Sequence, residues 1–187
     1  MKLQVIHDAR APARLPLLKR ELETQGIDDY RLAPGADDEN PSVAVRLAHQ
    51  GCFEWAITQG HDRVWIAEDD VVFTAPRAWD HFVELVEKIG GFVTGGTYGG
   101  HYTVREKHDG WAKIEQLCGL HLYSCPTSLI EVVRKAEQWH LDIWFARNVP
   151  DVRMAWPIVA YQRPGYSVKD KKFMDHDKLL EGLERWA

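Results

Sequence analysis

Residues 64–73 read Val64-Trp65-Ile66-Ala67-Glu68-Asp69-Asp70-Val71-Val72-Phe73, and the fold class turns on them. The apolar run 64–67 has the form of a strand buried on both faces. Val71-Val72-Phe73 is β-prone as well, so the three acids interrupt a hydrophobic segment. Adjacent carboxylates repel one another and resist burial unless a cation or strong donors compensate them. In an open α/β sheet the carboxyl ends of strands line the ligand crevice. Acids placed there suit a divalent ion with oxygen ligands, which commonly bridges to a diphosphate. The same triplet also fits a solvated turn or the cap of a following helix.

Outward from this strand, elements alternate. Residues 2–6 read as a first strand, followed by the loop His7-Asp8-Ala9-Arg10-Ala11-Pro12 and a helix with Leu15, Leu18 and Leu22 on one face, stopping at Gly26. A polar loop carrying Gly and Pro covers residues 33–40. Asn40-Pro41 opens a second helix as N-cap and first-turn proline, with Ala44, Leu47, Ala48, Cys52, Trp55 and Ala56 inward and an end near Gly60. A third helix from about Trp79 buries Phe82, Val83 and Val86, and Gly90-Gly91 ends it. Phe92-Val93-Thr94 predicts a short strand and residues 95–119 an irregular active-site loop. A strand at 120–123, a helix from Pro126 with Leu129, Ile130 and Val133 inward, a last strand at 156–161 and a helix at 179–186 complete the chain. This order predicts one α/β domain over residues 1–187, a Rossmann-like sandwich whose sheet is mainly parallel, with helices on both faces and room for an antiparallel edge.

Composition narrows the function classes. A chain of 187 residues, 45% of them hydrophobic, suffices for one packed domain and is short for two. A net charge of -5 without a long single-sign block argues against a surface built wholly for nucleic acid. Lys169-Asp170-Lys171-Lys172 is the clearest basic cluster and by default a solvated face. Cys52, Cys118 and Cys125 lack metal-ligand spacing, and their odd number suits free thiols in a reducing compartment. No apolar run approaches a membrane span and the start has no signal-peptide core, so a soluble, cytoplasmic protein is expected.

Several chemistries are excluded by their absent motifs. There is no G-x-x-x-x-G-K-[ST], so no phosphate-cradling loop with its lysine. Gly95-Gly96-Thr97-Tyr98-Gly99-Gly100 lacks G-x-G-x-x-G spacing and does not follow the first strand. G-x-S-x-G, H-E-x-x-H and Cys-x-x-Cys are also missing. Metal–diphosphate chemistry in an open α/β sheet survives.

Residues 47–56, Leu-Ala-His-Gln-Gly-Cys-Phe-Glu-Trp-Ala, followed by the acid-ended strand, resemble the GT-A glycosyltransferases of family 25, related to the lipopolysaccharide-biosynthesis and collagen galactosyltransferases. That family shows a Ser-His helix motif, a later Trp and a Leu-Glu-Asp-Asp-Val strand end at about this distance. Here Ala48 replaces the Ser and His49 remains. Residues 5–10 with Arg14 look like the family's opening strand and its arginine near the nucleotide. Residues 119–124, the His140-Leu141-Asp142-Ile143-Trp144 stretch, and Pro157, Gln162 and Ser167 are similar to its later segments. The chain is shorter than typical members, and residues 95–119 do not align with them.

The resemblance implies a nucleotide-sugar-dependent glycosyltransferase, inverting at the anomeric carbon, that uses Mn²⁺ or Mg²⁺. Asp70 would ligate the metal, with Glu68 or Asp69 second; Glu68 equally suits the ribose or sugar side. Asp8, Arg14, His49, Glu68 and Asp69 would serve the donor, His49 as support and not as chemistry. Asp142 is the candidate general base, or a structural anchor or helix cap, and Glu115 is the other carboxylate. Trp111, beside Tyr98 and Tyr102, would give an aromatic wall for a sugar or base. The acceptor stays open among a glycan, a protein, a small molecule and a modified nucleic acid. Two alternatives accompany this expectation: a catalytically degenerate GT-A domain that only binds nucleotide sugar or glycan, and another metal-dependent enzyme such as a nucleotidyltransferase or phosphohydrolase.

Overall fold

The computed structural model describes residues 1–97, 102–167, 172–175 and 183–187. In chain order, β1 (Leu3–His7), α1 (Arg14–Thr24), β2 (Tyr30–Pro34), α2 (Pro41–Thr58) and β3 (Arg63–Glu68) lead to β4 (Val71–Phe73), α3 (Ala78–Ile89) and β5 (Phe92–Thr94). A hairpin of β6 (Thr103–His108) and β7 (Trp111–Gln116) precedes β8 (Leu122–Pro126), a 3-10 turn (Thr127–Leu129), α4 (Ile130–Arg134) and α5 (Leu141–Asn148). Then come β9 (Val152–Ala155), β10 (Ala160–Gln162), β11 (Gly165–Ser167) and β12 (Lys172–Met174).

Eight strands form one sheet in the order β2-β1-β3-β8-β5-β9-β7-β6. β1 pairs in parallel with β2 and β3, and β5 in parallel with β9. β8 runs antiparallel to both its neighbours, β3 and β5, and the β6–β7 hairpin is antiparallel to β9. The sheet is therefore mixed, with a reversed strand near its middle and not only at an edge. Burial periodicity is the same in either strand direction, so it could not report the sense of β8.

β3 explains why helices cover both faces. Its alternate residues Val64 and Ile66 join one apolar layer with Cys52 and Phe53 of α2, Val133 of α4 and Phe145 of α5. Trp65 and Ala67 join the opposite layer with Leu18 and Leu22 of α1 and Phe82 and Val86 of α3. In α2 the inward stripe runs through Ala44, Ala48, Cys52 and Ala56 with His49 and Phe53, an i, i+4 pattern. Leu47 lies off that stripe and is exposed, and Trp55 is half-buried beneath the Arg31 guanidinium.

Further expectations change. Residues 30–34 form the edge strand β2 and not the start of a loop, and most of residues 103–116, expected to be irregular, are the β6–β7 hairpin. Its turn contains Asp109-Gly110 with Gly110 at φ 81°, the left-handed conformation that hairpin turns require. The strand expected at 156–161 is mostly absent: residues 156–159 lie between β9 and β10, and only 160–161 belong to β10. The Lys169–Lys171 part of the basic cluster, Tyr98, Gly99, Gly100, His101, and residues 179–182 of the expected C-terminal helix lie outside the described residues; residues 183–186, expected to continue that helix, are not helical, and Arg185 bridges to Ile158 instead. Among the described residues no helix is long and apolar enough to cross a membrane.

Candidate functional site

The acids lie where the parallel strands β1 and β3 end level, with Ile6 opposite Glu68. Glu68 keeps the even-numbered face of β3, the side of α2, and its Oε1 is 3.4 Å from Nε2 of His49. His49 is 1% exposed, and its Nδ1 lies 2.9 Å from the Tyr123 hydroxyl on β8. With Tyr123 donating to Nδ1 and Nε2–H facing Glu68, both ring nitrogens are satisfied. Burial raises the Glu68 carboxyl, but the hydrogen bond from His49, with the charge of Arg14, outweighs it and holds Glu68 below the ordinary carboxylate range.

Asp69 and Asp70 turn to the other side, toward α1. Asp69 Oδ2 accepts from His7 Nδ1 at 2.7 Å and from the Asp8 amide at 3.1 Å, while Oδ1 accepts from Arg14 Nη1 at 2.8 Å. Asp70 Oδ2 accepts from the same Nη1 at 3.0 Å and from Gln162 Nε2 at 2.7 Å. Asp70 Oδ1 is buried and has no hydrogen-bond partner among the described residues. Burial, together with the charges of Glu68 and Asp69, pushes Asp70 up to about 7 against the pull of Arg14.

Gln162 reaches Asp70 because β10 pairs with β4, Gln162 opposite Val71. That placement depends on Gly96, where a Cβ would lie 2.0 Å from the Ala160 carbonyl oxygen. The glycines after β5 thus allow two backbones to touch.

Asp8, Arg14, His49, Glu68, Asp69 and Asp70 line one cavity of about 630 Å³, and Asp142 faces it from α5. Asp142 Oδ2 accepts from the Gly119 amide and Oδ1 from the Ile143 amide, both at 2.8 Å. It fastens the 117–121 segment to the first turn of α5. Glu115 is not brought to this place: it is on β7, half-exposed, with Arg105 Nε at 2.6 Å. Among the described residues, the expected aromatic wall is not at this cavity either. Trp111 stacks on His108 on the hairpin and Tyr102 leans on Trp156; neither lines the cavity. A second cavity of about 400 Å³, bounded by residues 7–10 and 32–37, adjoins the first.

Sequence reasoning missed His7 and Tyr123 as partners of the acids. The available signal was position: His7 closes an apolar strand and sits immediately before Asp8.

Among the described residues, no three His, Cys, Asp or Glu side chains converge as a ready-made metal site. The donor set fits a cation more narrowly. Of the Asp69 and Asp70 oxygens, only Asp70 Oδ1 lacks a donor among the described residues, and Glu68 is close enough to raise the pKa of Asp70. Asp70 and Glu68 would hold a divalent ion together with oxygens from a ligand. The lining is strongly acidic, with Asp8, Asp38, Glu39 and Asp142 adding to the triplet against Arg10 and Arg14, so a diphosphate entering without a cation would be repelled.

No family profile and no curated protein sequence matches the chain. Solved structures do. Protein A197 from STIV matches with a TM-score of 0.58 at 15% identity, covering 93% of this chain and 93% of its own. Mannose-1-phosphate geranyltransferase from Thermus thermophilus matches with a TM-score of 0.51 at 12% identity, covering 82% of this chain and 73% of its own. An apo UDP-glucose pyrophosphorylase matches with a TM-score of 0.51 at 8% identity, covering 82% and 72%. At such identities the likeness is one of fold: the chain adopts the Rossmann-like, GT-A-like α/β sheet shared with sugar-nucleotide pyrophosphorylase-type enzymes.

Proposed function

We propose that the protein is a metal-dependent glycosyltransferase that moves a sugar, with inversion, from a nucleotide-sugar donor to an acceptor hydroxyl. The observation that carries this reading is the buried Asp70 Oδ1, without a hydrogen-bond partner among the described residues, in an acidic cavity. A divalent ion there would act as a Lewis acid toward the departing nucleoside diphosphate. Arg14, tied to Asp69 and Asp70, adds a fixed positive charge on the same side. His49 holds Glu68 toward the cavity, and Asp8 borders the path to the smaller cavity. Asp142 lines the same cavity from α5. Its two amide bonds leave lone pairs available, so it orients an acceptor hydroxyl and takes its proton as the bond to the anomeric carbon forms.

Calorimetric titration with UDP, GDP, CDP and ADP, in Mn²⁺ and then in EDTA, tests the reading. One nucleotide binding tightly only with the metal, and lost in Asp70→Ala, is the expected result. No metal-linked binding of any of the four would overturn it.

A second reading, nucleotidyl transfer, draws on the UDP-glucose pyrophosphorylase among the similar folds. Against it, the loop after β1 has no glycine, so it offers no closely approaching backbone for a triphosphate. Pyrophosphate release from a nucleoside triphosphate and a sugar phosphate, without use of nucleotide sugars, would favour this second reading.

A further inference from the structure

His7 stands in an arrangement that the proposed transfer chemistry does not use. Its Nδ1 lies 2.7 Å from Asp69 Oδ2, and Asp69, 5% exposed, also accepts from the Asp8 amide and from Arg14. A carboxylate only accepts hydrogen bonds, so the ring nitrogen facing it carries the proton. In the neutral imidazole the other nitrogen, Nε2, is then an acceptor, and the buried partner fixes the ring as well as the tautomer. No hydrogen bond among the described residues engages Nε2, and His7 borders the smaller cavity of about 400 Å³.

The other side of that cavity is the end of the edge strand β2, where Leu32, Ala33 and Pro34 present an apolar wall. Gly35 lets this wall approach closely: a Cβ there would lie 3.3 Å from Asp8 Cα and 3.4 Å from the His7 carbonyl oxygen. The smaller cavity adjoins the larger one, and Asp8, Arg10, Gly35 and Ala36 line both. A flat ring in the smaller cavity would place its attached phosphates toward Asp70.

We propose that His7, locked by Asp69, is a specificity-determining residue whose Nε2 accepts a hydrogen bond from the nucleoside end of the nucleotide. The group read is a donor: a base N–H, as uracil N3 or guanine N1 offers, or a ribose O–H. Cytosine and adenine present an acceptor nitrogen at the corresponding ring position and are disfavoured if the base is what is read. This inference rests on the nucleotide-sugar reading above.

The experiment is calorimetry in Mn²⁺ on wild type and His7→Ala with UDP, GDP, CDP and ADP and with the 2′-deoxy and 3′-deoxy forms of UDP and GDP. His7→Ala should weaken the preferred nucleotide about threefold to tenfold, the range for one neutral hydrogen bond, with binding still abolished by EDTA. The loss should vanish for a deoxy analogue if the ribose is read, or for CDP and ADP if the base is read. An equal loss for every ligand, or no loss for any while binding stays metal-linked, overturns the role of His7 and leaves the functional reading standing. If wild type binds no nucleotide with metal, the functional reading fails first. Nitrogen NMR of the wild-type imidazole needs no variant: protonated Nδ1 with acceptor Nε2 is expected, and the opposite tautomer overturns the proposal.

Discussion

Three adjacent acids meet three different fates, and only the last is left wanting. Glu68 has His49, Asp69 has His7, the Asp8 amide and Arg14, and Asp70 keeps one buried oxygen without a donor. Burial with like charge beside it pushes the Asp70 carboxyl up to about 7. The metal-free fold therefore holds a proton that the unfolded chain releases near the ordinary value of about 4. Below about pH 4 both states are protonated and Asp70 has no effect on stability. Between about 4 and about 7 the unfolded state binds fewer protons, so stability falls as pH rises, and above about 7 the loss is constant. Asp70→Asn removes this term. In EDTA, the variant should gain about 2–4 kcal/mol on wild type between about pH 4.5 and pH 8, read by urea unfolding. A variant-to-wild-type difference that does not change with pH would show that Asp70 titrates as an ordinary carboxylate. The buried chain behind Glu68 gives a second prediction. Tyr123→Phe removes the donor to His49 Nδ1 and should cost about 1–2 kcal/mol; an unchanged unfolding midpoint would show that His49 does not depend on that hydroxyl.

Elements set the site by close approach and by caps, and these differ in how readable they are. The start of α2 was legible because its chemistry is local: the Asn40 side chain accepts from the Ser42 amide with Pro41 beside it, and Asn40→Ala should cost about 1 kcal/mol in chemical denaturation. β3 was legible because burial on two faces leaves an unbroken apolar run. β2 was not, since only Ala33 of its five residues is buried, and a mostly exposed edge strand shows no alternation. β6 is exposed almost throughout, which is why residues 95–119 read as a loop. The acid triplet itself was visible as three consecutive letters. Its partners were not, because His7 and Gln162 arrive from 62 and 92 residues away. The glycines after β5 were noticed without their reason, which is the contact with β10. Gly96→Ala should destabilise by about 3 kcal/mol, the upper range for an overpacked site, and should weaken metal-linked nucleotide binding because β10 carries Gln162. Gly165→Ala, whose Cβ would meet nothing within 4 Å, is the control and should shift the midpoint by less than about 0.5 kcal/mol.

At the scale of the whole molecule, three thiols separate the stability of the packed layers from events at the cavity. Cys52 and Cys125 lie in the same apolar layer on the α2 side of the sheet, both fully buried. Burial pushes the Cys52 thiol up to about 12 despite the charge of Arg31, and raises Cys125 as well against Arg63. Thiolate is the reactive form, so neither residue can react while the layer is closed. Cys118 is half-buried and lines the larger cavity next to Gly119, the residue that Asp142 fastens to α5. A disulfide-exchange reagent at about pH 8 should therefore modify one thiol quickly and two slowly. The slow rate should follow urea concentration as global unfolding does, because those thiols react from the open state. Adding Mn²⁺ with the preferred nucleotide should slow the two buried thiols by the common factor that binding adds to stability. Cys118, which reacts from the folded state, should slow to the same extent if the ligand covers its wall, because it then reacts only from unliganded protein. If Cys118 keeps its rate when the ligand is added, the nucleotide does not cover the cavity wall beside Gly119. If Cys52 and Cys125 react at the rate of Cys118 without ligand, the layer opens locally and β3 is not the rigid support on which its acid end depends.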